Sequence, residues 1–393
     1  MKNPLIQNIP ALTRRRWLGQ SAVLGSGWLF GIQSGKAAAP KASILEIKTI
    51  SKQPEFYNGW PTVARRKNGQ LVVTWSGGRV GHVCPFGRVE MMTSHDDGKT
   101  WNWPRVLLDT DIDDRDSGVM ETATGTMIVT TFTSLAYLRG DAYKKKPSWM
   151  AAHARIQDDK VREAQLGEWA IRSTDGGLSW SKPIDTIVNS PHGPTQLADG
   201  RLLYVGKQLW KGPVDSWSEK KKIGVAESSD DGKTWKWLAD IPSRPGDKVN
   251  AAYHELHAVE AADGTIVAQI RNHNKNGAGE TLQTESKDGG KTWSVPHSIG
   301  VWGLPSFLTR LKDDRLLMTY GYRRKPFGNQ ARVSDDNGKT WSDPITISDD
   351  GASGDLGYPS TVQLDDGSLV TVWYEKMKES PNAVLRQAHW KLE

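Results

Sequence analysis

Six stretches of the chain place two apolar runs on either side of a short polar turn. Two examples are TVARRKNGQLVVTW from Thr62 and HAVEAADGTIVAQI from His257. Runs rich in Val, Ile, Leu and Thr around Asn-Gly or Asp-Gly are typical of β-hairpins. An all-β chain made of six similar units is therefore predicted, with hairpins that begin at Thr62, Val119, Pro194, His257, Phe307 and Thr361.

An eight-residue phrase recurs between the hairpins, and we call it the Asp box. Asp and Gly suit a tight turn, Ser and Thr hydroxyls bond backbone groups within it, and Trp packs the turn against the sheet. The spacings of 79, 55, 58 and 48 residues lie in the range of propeller blades with variable loops. We interpret the boxes as structural turns of a six-bladed β-propeller. They read SHDDGKTW, STDGGLSW, SSDDGKTW, SKDGGKTW and SDDNGKTW, from Ser94, Ser173, Ser228, Ser286 and Ser334.

Two regions depart from this regular pattern. The basic, irregular stretch from Leu138 to Glu168 is predicted to be an inserted loop in blade two. The last hairpin, from Thr361, has no box of its own. Its blade is predicted to be completed by Val384–Leu392 and by a strand near Ser43–Ile50, so that both ends of the chain close the ring and remove free sheet edges.

Residues 1–39 have the composition of an export signal. Basic residues are followed by a weakly apolar run, Ser21–Ile32, and by three alanines before Pro40. The letters TRRRWL from Thr13 resemble a twin-arginine signal. The apolar run is too short to cross a bilayer of about 30 Å. We predict that the segment is removed, that residues 40–393 form the mature propeller without a membrane anchor, and that this propeller is periplasmic or secreted.

Charge argues against a nucleic-acid partner. Residues 1–39 hold five of the Lys and Arg residues and no Asp or Glu, so the formal net charge of +6 falls to +1 for residues 40–393. The high isoelectric point of the whole chain is therefore no indication of a polyanion-binding surface.

Neither a metal centre nor a disulfide is predicted. Cys84 is the single cysteine, and its neighbours Val83, Pro85 and Phe86 indicate a packed loop without an adjacent base. The sequence His254-Glu255-Leu256-His257 lacks the spacing of helical zinc motifs, and on a strand its two histidines would face opposite sides. No motif requires a cofactor.

The five boxes resemble those of the Asp-box (BNR repeat) sialidase superfamily, and the resemblance covers the chain from about Lys41 to its C-terminus. These proteins are six-bladed propellers with an active site on the central axis. The resemblance implies the same fold and an exo-acting glycoside hydrolase that releases a terminal, acidic sugar from a glycan. Boxes also occur in non-enzymes, so the site is considered residue by residue.

Several residues match the superfamily's catalytic pattern. Tyr358 begins the phrase YPSTVQLDDG, as the superfamily's nucleophilic tyrosine does, and Glu255 stands nine residues before Gly264, as its partner glutamate does. A phenol is a poor nucleophile at neutral pH, so Glu255 would act as the base of Tyr358. The resemblance assigns Arg271, and Arg323 or Arg324, to an anionic sugar, and Glu375 to the carboxylate that steadies the superfamily's first arginine.

Two positions depart from the pattern. Gly59 stands where the superfamily has its first arginine, and the loop Val80–Gly87 after Arg79 contains no aspartate to act as acid/base. His82 in this loop and Asp116 in the run Asp113–Asp116 are the candidate proton donors. Arg79, Arg115 and His192, which stands at the entry to blade three, complete the candidate substrate-binding residues.

The sequence favours retaining cleavage of a terminal acidic sugar by Tyr358 and Glu255. Two alternatives remain open. A non-catalytic glycan-binding propeller would explain the missing arginine and aspartate, but it has no need for a Tyr/Glu pair at this spacing. A polysaccharide lyase acting on uronates would use Tyr and His without a covalent intermediate.

Overall fold

A computed structural model describes residues 40–155, 158–208, 222–248, 252–275 and 277–393, except for the side chains of residues 140–142. The predicted export signal, residues 1–39, lies outside the described residues. Six four-stranded antiparallel sheets form six blades arranged in a ring. The predicted six-bladed β-propeller is confirmed.

The strands are numbered along the chain, and in each blade the first strand given below is the innermost. Blade one contains β2 (Tyr57–Arg65), β3 (Leu71–Arg79), β4 (Arg88–Ser94) and β5 (Arg105–Leu108), and blade two contains β6 (Asp113–Glu121), β7 (Met127–Ser134), β8 (Glu168–Ser173) and β9 (Ile184–Asp185). Blade three contains β10 (Thr195–Gln196), β11 (Leu202–Lys207), β12 (Ile223–Ser228) and β13 (Lys236–Asp240), and blade four contains β14 (Tyr253–Glu260), β15 (Ile266–Asn272), β16 (Glu280–Ser286) and β17 (His297–Trp302). Blade five contains β18 (Ser306–Arg310), β19 (Leu316–Tyr322), β20 (Gly328–Ser334) and β21 (Ile345–Ser348), and blade six contains β22 (Leu356–Gln363), β23 (Leu369–Lys376), β24 (Ala383–Leu392) and β1 (Ala42–Thr49).

The core lies between adjacent blades. Strand β3 is buried along almost its whole length, because each face of its sheet packs against a neighbouring blade. Trp60 and Trp75 of blade one join one apolar cluster with Tyr374 and Leu385 of blade six. Each fully buried apolar side chain of this kind contributes about 1.5–3 kcal/mol. The ring is thus held by contacts that every blade shares with its neighbours.

The Asp boxes follow the third strand of blades one to five. In the box from Ser228, the serine Oγ accepts a hydrogen bond from Gly232 N at 2.9 Å, and the Asp230 carboxylate accepts bonds from Thr234 N and Oγ1 at 2.9 and 2.6 Å. The box tryptophan of blade one, Trp101, donates to Gln387 of blade six at 2.8 Å. The interpretation of the boxes as structural turns is confirmed, and Trp101 also connects one blade to the preceding one.

The closing blade joins the two ends of the described chain. Strand β1 pairs with β24 in antiparallel register, with Ala42 opposite Leu392 and Thr49 opposite Arg386. The prediction that both regions complete the last blade is confirmed.

The stretch predicted to be an inserted loop contains helices. A 3-10 helix, Ala136–Lys145, is followed by α1, Pro147–His153, and α2, Asp159–Ala164. Pro147 occupies the first helical position, and the Asp158 side chain accepts a bond from Lys160 N at the start of α2. The stretch is an insertion between β7 and β8, as predicted, but it contains short helices where an irregular loop was expected. No helix among the described residues has the length and the apolar character needed to span a membrane.

Candidate active site

Four inner strands have a residue in the left-handed region of φ at their third or fourth position. These residues are Trp60, Asp116, Glu255 and Tyr358, with φ between 45° and 55°. The pairing register of each inner strand shifts around the same point, which is the signature of a β-bulge. Because a bulge redirects a side chain from the pleat, all four side chains line one cavity on the axis. Such strained conformations persist only where surrounding structure enforces them, and they concentrate at functional sites.

The four residues share one position relative to their hairpin turns, nine residues before the turn residue. We call it the axial position. In blades three and five it is occupied by Pro191 and Pro305. The turn residues, in blade order, are Gly69, Gly125, Gly200, Gly264, Asp314 and Gly367, all of which have positive φ.

Tyr358 and Glu255 are hydrogen-bonded across the axis. The Tyr358 hydroxyl donates to Glu255 Oε1, and Arg271 Nη1 donates both to Glu255 Oε2 and, at 3.1 Å, to Tyr358 Oη. Tyr358 belongs to blade six, and Glu255 and Arg271 belong to blade four. Tyr358 and Glu255 are 103 residues apart in the sequence. The structure therefore brings together the pair that the sequence assigned as nucleophile and base.

The proton of this pair resides on the phenol. Burial and the Glu255 charge raise the pKa of Tyr358 well above its usual value. Burial acts to raise the pKa of Glu255 as well, but the Arg271 charge and the bonds from Tyr358 and Arg271 outweigh it and hold that pKa at about 2. In the resting protein a neutral phenol thus faces an ionised carboxylate.

Asp116 is a second carboxyl group in the same cavity. It is 7% exposed, and burial raises its pKa to about 7, with Arg115 opposing and Glu255 reinforcing the rise. A carboxyl group held near neutrality can act as a general acid at physiological pH. The charge of Asp116 also acts on Tyr358. The structure therefore places a carboxyl group of raised pKa in the same cavity as Tyr358 and Glu255.

His82 lies at the more exposed side of the cavity and is backed by Asp355. Its Nδ1 is 3.2 Å from Asp355 Oδ1 and 2.8 Å from the Tyr57 hydroxyl, which itself donates to Asp355 at 2.9 Å. Tyr374 donates to the same carboxylate oxygen at 3.2 Å. The His82 side chain is 48% exposed. A histidine fixed at one nitrogen in this way presents the other to a ligand.

Tyr57 occupies the space next to the missing arginine. A Cβ added at Gly59 would lie 3.0 Å from the Tyr57 ring. Tyr57, Asp355 and Tyr374 were not among the residues singled out from the sequence. They come from blade one, from the loop before β22 and from β23, so no local spacing connects them.

Arg115 and Arg79 lie against Trp60. The guanidinium carbons are 4.6 and 4.9 Å from the Trp60 ring centroid. Arg79 is fully buried, pairs with both Asp113 oxygens at 2.6 and 3.0 Å, and bonds the carbonyl of His82 at 3.0 Å. The assignment of Arg79 to substrate is corrected, because its donors hold the loop that carries His82. Arg115 lines the cavity.

One of the two alternative arginines, Arg323, reaches the cavity. Its guanidinium carbon is 5.8 Å from the Tyr358 ring centroid, and its Nε donates to Leu356 O at 2.9 Å. Arg324 instead lies 3.6 Å from the Trp302 ring centroid, away from the cavity lining. The substrate-binding assignment of Arg324 is corrected, because consecutive residues on a strand exit face opposite sides.

Glu375 and His192 are also placed differently from their assignments. Glu375 is buried and accepts hydrogen bonds from Arg386 at 2.6 Å and from Trp373 at 3.0 Å. Its carboxylate therefore forms an ion pair that connects β23 with β24. His192 is buried beneath the cavity, where Phe307 and His257 pack against its ring, and burial lowers its pKa to about 3. The assignment of His192 to substrate is corrected, and Glu375, expected to steady a substrate-binding arginine, instead steadies Arg386, since neither side chain lines the cavity.

The cavity has a volume of about 690 Å³ and a cationic lining. Arg271 and Arg323 stand near Tyr358, and the inserted segment contributes a further wall. Among the described residues, the carboxylates of the lining are Asp116 and Glu255, and no group of side chains suited to hold a metal ion is found. The sequence analysis did not single out four aromatic residues of the lining, Trp60, Phe132, Tyr137 and Trp149. The cationic residues are Arg115, Arg139, Lys146, Lys207, Arg271 and Arg323.

Comparison with family models and with curated proteins gives distant matches. The model described as a BNR repeat-like domain matches residues 243–371. A sialidase of Paraclostridium sordellii is 25% identical over 218 residues, which make up 51% of this chain and 48% of that protein. The chain spans about half the length of the curated sialidases that it matches, 48% and 54%.

Solved structures share the fold over most of the chain. A protein of unknown function from Dyadobacter fermentans has a TM-score of 0.72 and 24% identity, and the match covers 90% of this chain and 99% of that one. The intramolecular trans-sialidase from Ruminococcus gnavus has a TM-score of 0.59 and 15% identity, with 86% and 94% covered. Both likenesses identify the same six-bladed architecture.

Proposed function

Because the chain belongs to the BNR-repeat sialidase superfamily, we propose that it is an exo-acting glycoside hydrolase that releases a terminal acidic sugar. One observation carries the proposal. The Tyr358 hydroxyl, the Glu255 carboxylate and the Arg271 guanidinium are mutually hydrogen-bonded in the axial cavity, and Asp116 lies in the same cavity. A nucleophile, its base and an acid in one concave site are the parts that glycoside hydrolysis with retention requires.

In the first step of the proposed reaction, Tyr358 Oη attacks the anomeric carbon while the bond from that carbon to the leaving oxygen breaks. Glu255 accepts the phenolic proton, and Asp116 gives its own proton to the leaving oxygen. A covalent glycosyl-tyrosine results. In the second step the ionised Asp116 removes a proton from water, whose oxygen replaces Tyr358 on the anomeric carbon, and Glu255 returns the proton to Tyr358.

Arg271 balances the charges during this exchange. A phenol with a raised pKa and a carboxylate with a pKa of about 2 resist proton transfer in the resting site. As the phenolic oxygen bonds to carbon, its proton becomes acidic and moves to Glu255. Arg271 donates to both oxygens, so its positive charge stabilises the pair on whichever side the negative charge lies.

Asp116 is the preferred proton donor. Its pKa of about 7 keeps it substantially protonated at neutral pH, and its charge acts on both Tyr358 and Glu255. His82, which is held by Asp355, is the competing donor from the exposed side. The two candidates belong to different blades and can be replaced separately.

An acidic substrate is proposed from the charge of the cavity. Arg271 and Arg323 flank Tyr358, and a guanidinium binds a carboxylate through paired N–H groups. Gly59 offers no third arginine from blade one, and Tyr57 fills that space. The proposed carboxylate is therefore bound from blades four and five, and its recognition differs from the superfamily's arginine set. Export to the periplasm or medium, proposed from residues 1–39, would place the enzyme where glycans are accessible.

The test is turnover of aryl glycosides of sialic, other ulosonic and uronic acids by residues 40–393. A derivative of the substrate that is turned over, with fluorine on the carbon next to the anomeric carbon, should leave a covalent adduct, which peptide mass spectrometry would locate on Tyr358. Release of aryl alcohol with this adduct supports the proposal. Unsaturated products without an adduct would identify a lyase, and saturable binding without turnover of any glycoside would identify a glycan-binding propeller.

A further inference from the structure

A polar corner at the exposed side of the axial cavity is formed by Tyr57, His82 and Asp355. His82 Nδ1 lies 2.8 Å from Tyr57 Oη and 3.2 Å from Asp355 Oδ1, and Tyr57 Oη lies 2.9 Å from the same carboxylate oxygen. The His82 ring also packs edge-on against the rings of Tyr57 and Trp60, with centroids 5.6 and 5.0 Å apart. These contacts fix the orientation of the imidazole. We call the three residues the His82 corner.

The two oxygen-bearing members of the His82 corner have defined protonation states. Burial, followed by Tyr374 and Asp355, raises the pKa of Tyr57 well above its usual value, so the phenol keeps its proton. Burial also acts to raise the pKa of Asp355, but hydrogen bonds from His82, Tyr57 and Tyr374 outweigh it and hold that pKa below its usual value. Asp355 is therefore a carboxylate, which can only accept hydrogen bonds, and the phenol has one proton to donate.

The distances assign a further proton to His82 Nδ1. With a proton there, Nδ1–H is shared between Tyr57 Oη and Asp355 Oδ1, and the phenol donates to Asp355, so each of the three contacts joins a donor and an acceptor. Without this proton, the 3.2 Å contact between Nδ1 and Asp355 Oδ1 would bring two lone pairs together, which is repulsive. A neutral His82 thus carries its proton on Nδ1 and a lone pair on Nε2.

His82 Nε2 is the nitrogen that a ligand can reach. His82 lines the cavity, whereas Tyr57 and Asp355 do not. Because Nδ1 is directed at those two residues, the opposite side of the ring, which carries Nε2, is left for a ligand. Among the described residues, Nε2 has no hydrogen-bond partner.

The charge of the His82 corner is that of Asp355. Arg79, which donates to the His82 carbonyl at 3.0 Å, is paired with Asp113 at 2.6 Å. Gly59 contributes no side chain. A ligand group that is itself negative is therefore disfavoured at this corner, and a neutral hydrogen-bond donor is favoured.

Tyr374 connects the His82 corner with the cationic part of the cavity. It donates to Asp355 Oδ1 at 3.2 Å and accepts from Arg323 Nη2 at 3.5 Å, and the Arg323 guanidinium carbon is 5.8 Å from the Tyr358 ring centroid. Three hydrogen-bond lengths at most therefore separate Arg323 Nη2 from His82 Nδ1. One sugar ring with its substituents can span this interval and contact both residues.

We propose that Asp355 and Tyr57 are positioning residues that hold neutral His82 as the Nδ1–H tautomer, and that His82 Nε2 accepts a hydrogen bond from a hydroxyl group of the sugar in the cavity. The identity of the ligand rests on the proposed function, whereas the tautomer does not. The substrate is then an acidic sugar with its carboxylate at Arg323 and a free hydroxyl group at the His82 corner. Because Nε2 has no proton in this tautomer, neutral His82 recognises the substrate and leaves proton donation to Asp116.

The first test measures the tautomer directly, by long-range ¹H–¹⁵N correlation spectra of the protein labelled with ¹⁵N in its histidines. Spectra are taken at pH 8, above the usual pKa of histidine. The chain has nine histidines, so the His82 signals are assigned by their loss in His82→Asn. The pattern expected for His82 is that of the Nδ1–H tautomer. Asp355→Asn should shift it toward the Nε2–H tautomer, because an amide can offer Nδ1 a donor in place of a charged acceptor. Asp349→Asn, an exposed aspartate of the same loop, is the matched control.

The second test separates KM from kcat on the acidic aryl glycoside that is turned over. An Asn side chain can keep a donor near the position of Nδ1 but has no counterpart of Nε2. His82→Asn should therefore raise KM about tenfold, the loss of roughly one hydrogen bond, and leave kcat within a few-fold of wild type. Asp355→Asn should act in the same direction, and Asp349→Asn should change neither constant. One monodeoxy form of the substrate should show the same rise in KM with wild type and no further rise with His82→Asn.

Each outcome decides the proposal. An Nε2–H tautomer or an imidazolium at pH 8 would overturn it, as would an unchanged KM in His82→Asn or a rise in KM that adds to that of every monodeoxy form. A fall in kcat of roughly 10²–10⁴ in His82→Asn would identify His82 as the proton donor instead. The Nδ1–H tautomer in a protein inactive on every glycoside would support the assignment of Nε2 as an acceptor, and the proposed hydrolase alone would fail.

Discussion

The Asp boxes and the axial positions are both repeated around the ring, but only the boxes keep the same residues. In all five boxes a serine Oγ accepts from a glycine N–H at 2.8 or 2.9 Å. The six axial positions hold Trp, Asp, Pro, Glu, Pro and Tyr in blade order. The boxes form the same hydrogen-bonded turn in five blades, whereas the axial positions place side chains of different chemistry at equivalent points of the backbone. Repetition in this chain therefore indicates structure, and variation at a repeated position indicates function.

Replacement of Tyr358 by Phe should have the largest effect on activity. The substitution removes the proposed nucleophile, and the loss in kcat should be about a thousandfold or more. Glu255→Gln should lower kcat by roughly 10²–10⁴ because the base is lost. Steady-state kinetics on the best aryl glycoside checks both. Tyr320→Phe, a buried tyrosine of blade five that bonds Gln330 at 2.9 Å, is the matched control and should keep full activity.

Replacement of Asp116 by Asn should reduce kcat/KM by roughly 10²–10³ and change its pH profile. With a pKa of about 7, wild-type Asp116 should lose its proton above pH 7, so kcat/KM should fall there. The variant should lack this alkaline limb. If His82→Asn removed the limb and Asp116→Asn left it in place, the donor would be His82.

The Asp116→Asn variant should be more stable than wild type at alkaline pH. The folded pKa of Asp116 is raised to about 7, whereas an unfolded aspartate ionises near pH 4, so the unfolded state binds fewer protons between these values. Stability of the wild type should fall as pH rises through this window. Thermal unfolding of wild type and Asp116→Asn checks this prediction, and the Tm of the variant should exceed that of wild type at pH 8 but not at pH 4. A Tm gain confined to pH 4 would contradict the assignment of a buried, neutral carboxyl group.

Replacement of Gly118 by Ala should disturb the fold near the axis. A Cβ at this position would come within 2.5 Å of the Gly193 Cα in the neighbouring blade, and the backbone has little room to adjust. We expect a loss of about 1–3 kcal/mol in the free energy of unfolding. Gly81→Ala meets no atom within 4 Å and serves as the control in chemical denaturation.

Replacement of Asp230 by Ala, in the box from Ser228, should have the smallest effect. It should lower the free energy of unfolding by about 1 kcal/mol and leave activity unchanged. The bonds from Thr234 and Ser228 outweigh slight burial and hold the pKa of Asp230 at about 2. Because its folded pKa is depressed, its stabilising contribution is present above pH 4 and is lost as pH falls toward 2. The Tm difference from wild type should therefore narrow in that range. A large loss of activity at pH 7 would break the distinction between boxes and axial positions.

The fold could be predicted closely from the sequence, because box spacing and hairpin pattern are local features. The assignment of Tyr358 and Glu255 to one site was reached from their distance to a turn glycine. The same rule, applied to every hairpin, would also have identified Trp60 as an axial residue. The sequence did not predict the ion pair of Arg79 with Asp113 or the contact of His82 with Asp355, since the ring brings together residues 34 and 273 positions apart. Arg324 was misplaced because two consecutive residues face opposite sides, and the sequence could not decide which of Arg323 and Arg324 faces the axis. Glu375 was misplaced because its partner Arg386 lies on the neighbouring strand β24, which no local spacing connects to it.

Ring closure by β1 has a consequence for the time course of synthesis. Ribosomes deliver chains from the N-terminus, so β1 emerges first among the strands and its partner β24, Ala383–Leu392, emerges last. The first five blades can assemble before β24 has been synthesised, but the sixth cannot be completed until it has. During that interval β1 is an unpaired edge, the kind of strand that templates aggregation. Pairing with β24 is therefore what removes this edge, and it should protect β1 from association with other chains.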